Sequence, residues 1–133
     1  MNKFVKIGLI GFVFLFFSCG KNEEGIITLK IGKVTEIKLG ETAENTQKGL
    51  SLRVDGINDS RCPKGAQCVW EGSAYVEFHL TTEKEKYNFT LETHPYHQND
   101  TVIEGIKYEL IDVLPYPDLN KKQPVKKVKV LVE

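Results

Sequence analysis

The sequence predicts an all-β domain: an antiparallel β-sandwich of about seven or eight strands with Greek-key-like connections, preceded by an N-terminal signal segment. Beyond residue 25, apolar and polar side chains alternate with a period of two. This period is typical of strands with one buried and one solvent-facing side. Turn-forming Gly, Pro, Asn and Asp residues separate the alternating runs at short intervals. No stretch shows the periodicity of a helix of ordinary length.

The alternation defines seven runs of strand-like sequence. In chain order they cover residues 27–31, 36–39, 50–55, 74–81, 87–92, 106–114 and 127–132. Gly32 and Lys33 are expected to join the first two strands in a hairpin, and residues 82–85 to join the fourth and fifth. Residues 41–48 are the one candidate for a helical turn, but their Thr and Asn content favours a loop.

The run at residues 106–114 changes phase. Tyr108 and Leu110 share one face, whereas Ile111 and Val113 lie on the other. Either this strand is covered on both faces, or a β-bulge near residues 110–112 shifts the alternation. The Pro-Tyr-Pro-Asp sequence that follows at residues 115–118 predicts an extended connection before the last strand.

Residues 1–18 have the organisation of a secretory signal peptide. Lys3 and Lys6 precede an apolar run at residues 7–17, and the small residue Ser18 precedes Cys19. The apolar run is about half of the ~20 residues that a membrane-spanning helix needs. This organisation is consistent with ordinary secretion that leaves Cys19 as a free thiol, and with an uncleaved segment that anchors the chain.

The Ser18-Cys19 junction resembles the lipobox of bacterial lipoproteins, although Phe16 occupies the position where Leu is usual. The resemblance implies cleavage before Cys19 and acylation of that cysteine, including palmitate. Residues 19–25 would then be the lipidated cysteine and a flexible tether, and residues 26–133 the β-sandwich domain. The tether also resembles the Lys/Asp/Glu-rich signal that sends some Gram-negative lipoproteins to the outer face of the outer membrane. The sequence therefore predicts an outer-membrane lipoprotein on either the cell surface or the periplasmic face.

The charge balance argues against a nucleic-acid partner. Removing Lys3 and Lys6 with the signal leaves 16 basic against 18 acidic side chains, a net charge near −2. An electrostatic nucleic-acid binder would instead show a basic stripe. The one basic run is typical of a solvated strand face and loop; it comprises Lys121, Lys122, Lys126, Lys127 and Lys129.

Residues 59–72, D-S-R-C-P-K-G-A-Q-C-V-W-E-G, form the most distinctive block of the chain. Three cysteines are an odd number for an exported protein, but lipidation of Cys19 leaves Cys62 and Cys68 as a pair. An oxidising compartment would join them in a disulfide. Five intervening residues exclude a CxxC redox pair, and a zinc site would need further ligands nearby.

This block, in the form D-S-R-C-P-x-G-x-x-C-V-W-x-G before an alternating strand, resembles a motif of small bacterial lipoproteins and secreted domains. Glu71 stands where that family commonly has Ala. The resemblance extends more loosely over the mature domain, including residues 114–117. It implies an all-β, disulfide-stapled domain of uncharacterised function, and it supplies no catalytic residue.

Two interpretations of the loop remain open. An Asp59–Arg61 ion pair would lock it, or Arg61, Lys64, Gln67 and Trp70 would face a partner, as rigid loops on β scaffolds often do. Trp70 is expected to pack on the ring or to plug one end of the sandwich, with a ligand platform as the alternative.

A second candidate site lies in the loop that follows residue 92. His94, His97 and Asp100 supply two imidazoles and a carboxylate, a sufficient ligand set for a divalent metal. A polar loop without metal is the simpler interpretation, because no regular strand or helix geometry holds the three side chains.

The chain contains no nucleophile motif and no phosphate-binding glycine loop, so we expect no enzyme activity and no cofactor. The sequence predicts a membrane-anchored, non-enzymatic binding or envelope-accessory module. Its partners would be the membrane, through the lipid anchor, and an envelope protein or extracellular ligand. The alternative is a metal-binding periplasmic or surface protein that uses the loop with His94, His97 and Asp100.

Overall fold

The computed structural model describes residues 25–133; the signal segment, Cys19 and residues 20–24 lie outside the described residues. The described chain is all-β, as predicted, with nine strands. They are β1 (Ile26–Thr28), β2 (Val34–Lys38), β3 (Thr42–Asn45), β4 (Leu50–Asp59), β5 (Ala74–Thr81), β6 (Lys86–Glu92), β7 (Asp100–Ile103), β8 (Ile106–Leu114) and β9 (Lys127–Val132).

The strands form two sheets, so the predicted β-sandwich is confirmed. One sheet has the order β1-β3-β4-β5-β6 and the other the order β2-β9-β8-β7. Every strand pair is antiparallel except β1 and β3, which are parallel. The chain crosses between the sheets three times: from β1 to β2, from β2 to β3 and from β6 to β7.

The alternating apolar residues of both sheets meet in one core. Phe89 of β6 packs against Phe78 of β5, with ring centroids 5.3 Å apart, and against Tyr108 of β8 in the opposite sheet, at 5.7 Å. Phe89 is partly buried, and the fully buried side chains of the core are supplied mainly by β4, β5, β8 and β9. Burial of these apolar surfaces is the main contribution to folding stability, at about 25 cal/mol per Å².

Strands β3 and β7 were not predicted, and the predicted hairpin at Gly32 and Lys33 is wrong. Strands β3 and β7 have four residues each, too few to show a clear alternation, and Ala43 is the single buried residue of β3. Gly32 does make a turn, with φ +73°, but β1 and β2 join different sheets instead of pairing. Leu29, fully buried before this turn, donates its N–H to Glu44 O at 2.8 Å and so keeps the chain against β3.

The bulge predicted in β8 is confirmed. The register with β9 shifts between Leu110 and Asp112, and Ile111 is left exposed between them. The extra residue restores the inward phase, so Leu110 and Val113 both face the core. The bulge also turns the Asp112 carboxylate toward the loop between β4 and β5.

The sandwich has two ends with different loops. Residues 39–41, 60–73, 93–99 and 115–126 connect strands at one end, which we call the disulfide end. Residues 29–33, 46–49, 82–85 and 104–105 connect strands at the other, which we call the hairpin end. Side chains tie the two sheets together at both: Lys126 to Asp59 at the disulfide end, and Thr82 to Glu104 at the hairpin end.

Candidate functional site

The loop between β4 and β5 is closed by the disulfide that the sequence predicted. Cys62 and Cys68 are bonded, with their Cα atoms 5.9 Å apart. Inside the ring, Ala66 donates its N–H to Pro63 O at 3.1 Å, and Gly65 adopts φ +87°. By the loop-entropy model, closing a ring of this size contributes about 2 kcal/mol to stability.

Arg61 fastens the base of this loop. Its guanidinium donates two hydrogen bonds to the Asp59 carboxylate, from Nε to Oδ1 at 2.8 Å and from Nη2 to Oδ2 at 2.7 Å. Nη2 also donates to Val113 O at 2.8 Å, and Nη1 to Asp112 Oδ1 at 3.3 Å, both on β8. The loop is therefore bound to the opposite sheet at the point where the β8 bulge turns the partly exposed Asp112 carboxylate toward the loop.

Asp59 and Arg61 form a buried ion pair, to which the partly exposed Lys126 adds a second cation. The Asp59 side chain is 2 % exposed and that of Arg61 is 9 % exposed, and Lys126 Nζ donates to Asp59 Oδ2 at 2.7 Å. Burial raises the pKa of the Asp59 carboxyl, but the hydrogen bonds and charges of Arg61 and Lys126 outweigh burial and hold that pKa below its ordinary value. Of the two interpretations of Arg61, the structure favours the locked loop over a partner-facing side chain.

The segment after β8 covers one side of the ring. Tyr116 donates its hydroxyl to Cys62 O at 3.0 Å, and its ring centroid lies 4.6 Å from Arg61 Cζ, a cation–π contact. Lys64 donates its N–H to Pro117 O at 2.9 Å and accepts at its carbonyl from Leu119 N at 3.2 Å. The ring and residues 115–120 therefore form one connected unit.

Trp70 does not enter the core, and the expectation that it packs there is wrong. Its side chain is 81 % exposed, and that of Val69 is 89 % exposed. Both lie in the segment that follows the closed ring, between Cys68 and the start of β5. Lys64 and Gln67 are exposed on the same loop. Three of the four predicted loop residues thus face solvent, and Arg61 does not.

Exposed apolar side chains are concentrated at the disulfide end. Its loops carry Leu39, Val69, Trp70, Tyr96, Tyr116, Leu119 and Val125, all exposed. Within the described loops of the hairpin end, the single exposed large hydrophobic residue is Ile31. Scattered exposed hydrophobic residues are ordinary on soluble domains, so it is their number at one end that distinguishes the disulfide end from the hairpin end. Of this set, sequence reasoning had identified Trp70 alone as a candidate.

A cleft of about 440 Å³ opens beside the disulfide ring. Its lining residues come from three loops and the β8 bulge; they are Arg61, Cys62, Glu71, Gly72, Thr93, His94, Pro95, Ile111, Asp112 and Tyr116. The charged groups in this lining are paired with each other or exposed at the rim. The cleft therefore has a mixed polar and apolar lining at the disulfide end.

The loop with the two histidines does not assemble the predicted ligand set. His94 and His97 meet edge to face, with ring centroids 4.9 Å apart, and His97 Nδ1 lies 3.3 Å from Glu92 Oε2. The Asp100 carboxylate is directed to Lys107 Nζ at 3.6 Å instead. Among residues 25–133 the structure groups no three His, Cys, Asp or Glu side chains that would hold a metal ion.

The fold and site define a disulfide-stapled β-sandwich with one apolar end. The chain matches no protein-family model, no curated protein and no solved structure. Residues 25–133 include no helix long and apolar enough to cross a membrane. The geometry of the site is therefore the basis for a functional proposal.

Proposed function

We propose that this protein is a membrane-anchored bacterial lipoprotein that acts as a non-enzymatic binding or envelope-accessory module. Acylated Cys19 is its anchor, and the Gram-negative outer membrane is its location, on the cell surface or the periplasmic face. The Cys62–Cys68 disulfide supports this proposal, because structural disulfides form and persist in exported proteins. The resemblance of residues 59–72 to the motif of small bacterial lipoproteins agrees with it.

The binding surface in this proposal is the disulfide end. The observation that carries it is the concentration of exposed apolar side chains there, which include Val69 and Trp70. These two residues sit on a loop held by a disulfide and by a buried ion cluster, so binding costs little ordering of the loop. A preorganised aromatic side chain is a typical anchor of an interface.

Photo-crosslinking in living cells tests whether this end is engaged. A benzophenone amino acid at Val69 should crosslink to an envelope component, because the side chain at this position would lie in the interface. The same group at Val102, which is also exposed but lies on edge strand β7, is the matched control and should give few adducts. Adducts that are equally abundant at both positions, or absent at Val69, would contradict a binding role for the disulfide end.

A further inference from the structure

The chain enters the domain at the disulfide end. Strand β1 is parallel to β3 and begins beside the 39–41 turn, where Thr42 donates its N–H to Gly25 O at 3.3 Å. Gly25 and the exposed Val125 line the same surface depression. Gly25, the first described residue, therefore lies at the end of the sandwich that carries the exposed apolar side chains.

The tether between the proposed anchor and the domain is short. Six residue steps separate Cys19 from Gly25, and a fully extended chain spans at most about 3.3–3.6 Å per residue. The start of β1 is thus held within about 20 Å of the acyl chains. At this distance the disulfide end is brought repeatedly against the lipid surface, so even a weak attraction is sufficient for contact.

We propose that the disulfide end docks on the surface of the membrane that holds Cys19, with Trp70 in the headgroup region. This proposal rests on the lipid anchoring of the proposed function and names the partner of the same surface. Trp and Tyr side chains favour the membrane–water interface, because an apolar ring and a polar N–H or O–H meet both phases there. Trp70 and Tyr96 provide two such side chains at this end, both largely exposed.

Apolar contact supplies most of the attraction in this arrangement. Lys64, Lys121 and Lys122 are exposed at the disulfide end and suit anionic headgroups. Glu71 and Asp118 lie among them and partly offset their charge. A surface that already has an acyl anchor needs only one further weak signal for stable apposition, and exposed aromatic and aliphatic side chains supply it.

The single Trp of the chain makes the proposal directly measurable. The lipoprotein purified from its native envelope is reconstituted into vesicles of phosphatidylethanolamine and phosphatidylglycerol whose acyl chains carry bromine, which quenches nearby Trp fluorescence. Trp70 should be quenched by the brominated lipid, and acrylamide in the water should quench it severalfold less than in lipid-free buffer.

Three full-chain variants complete the test. In the variant Trp70→Phe with Ile31→Trp, the reporter lies at the hairpin end and should stay accessible to acrylamide and insensitive to brominated lipid. Leu119→Asp should lower the equilibrium constant for docking by about tenfold, the order expected when one large apolar side chain no longer enters the membrane surface and a charge replaces it. The lipid quenching of Trp70 should fall as a result. Val102→Asp, at a side chain of equal exposure (65 % for both), should leave it unchanged.

The outcomes separate the two proposals. A protein that sediments with the vesicles but whose Trp70 is insensitive to brominated lipid overturns docking and leaves anchoring intact. Protection from acrylamide without lipid quenching means that a second copy or another protein covers the disulfide end, and this also overturns docking. A protein that lacks acyl chains and does not sediment overturns the anchoring, and with it the docking that depends on it.

Discussion

Replacing Arg61 with Met should lower the free energy of unfolding by about 3 kcal/mol, the largest loss expected from any single surface-loop charge. Removing one partner of a buried ion pair leaves the other without its main counter-charge. In this case the group left behind is Asp59, which keeps Lys126 as its cationic partner and a backbone N–H donor at residue 61. The four hydrogen bonds from the Arg61 guanidinium to Asp59, Asp112 and Val113 disappear. Urea unfolding followed by circular dichroism gives the difference.

The matched control is Arg53→Met. Arg53 pairs with Asp55 at 3.0 Å on the solvent side of β4, where the two side chains are 36 % and 44 % exposed. An exposed pair contributes at most about 1 kcal/mol. If Arg61→Met costs no more than Arg53→Met, the ion cluster does not hold the loop.

The same cluster predicts how stability depends on pH. The folded-state pKa of Asp59 lies below its ordinary value, so its ionised form adds stability above the unfolded pKa of about 3.9. That stability is lost as the pH falls through the lower folded pKa. The difference between wild type and Arg61→Met should therefore shrink in acid, because a protonated Asp59 no longer needs its cationic partner.

Replacing Gly72 with Ala should destabilise the fold by about 4 kcal/mol. Gly72 has φ +66°, and a Cβ there would lie 2.0 Å from the carbonyl oxygen of Ser60. The obstacle is backbone, and it is fixed by the hydrogen bond from Ser60 N to Ser73 O at 2.9 Å. The left-handed conformation costs an Ala about 1–2 kcal/mol, and forced displacement of packed atoms typically adds about 1–3 kcal/mol.

Gly32→Ala separates these two contributions. Gly32 has a similar φ of +73°, but a Cβ there would meet no atom within 4 Å. Its substitution should therefore cost only the conformational part, about 1–2 kcal/mol. Equal urea midpoints for the two variants would show that the close approach of Gly72 to Ser60 is not rigid.

The long strands were predictable because each buries a regular series of alternate residues. In β5, the alternation of buried and exposed positions runs from Ala74 to Leu80 without a break. The phase shift in β8 was also visible in the sequence as a change of apolar face, since the bulge must keep Leu110 and Val113 in the core. Strands β3 and β7 are held by their neighbours and not by an alternation of their own. Their places in the sheets, and the crossing at Gly32, depend on tertiary pairing.

The candidate site was predictable in its covalent frame but not in its exposure. The spacing of Cys62 and Cys68 and the short separation of Asp59 from Arg61 indicated a closed, locked loop. The partners of Arg61 on β8 lie more than fifty residues away, beyond any local pattern. The exposure of Trp70 was not predicted, because a single Trp in a small domain usually packs inside and no local pattern marked this one as solvent-facing.

The mass of the intact protein isolated from its native envelope decides whether the chain is an acylated lipoprotein. We expect a chain that begins at Cys19, carries acyl groups on that residue and is two hydrogens lighter for the Cys62–Cys68 bond. A chain that keeps residues 1–18, or that begins elsewhere with an unmodified Cys19, would contradict it. The acyl anchor on Cys19 would then be absent, and the docking of the disulfide end that depends on it would fail with it.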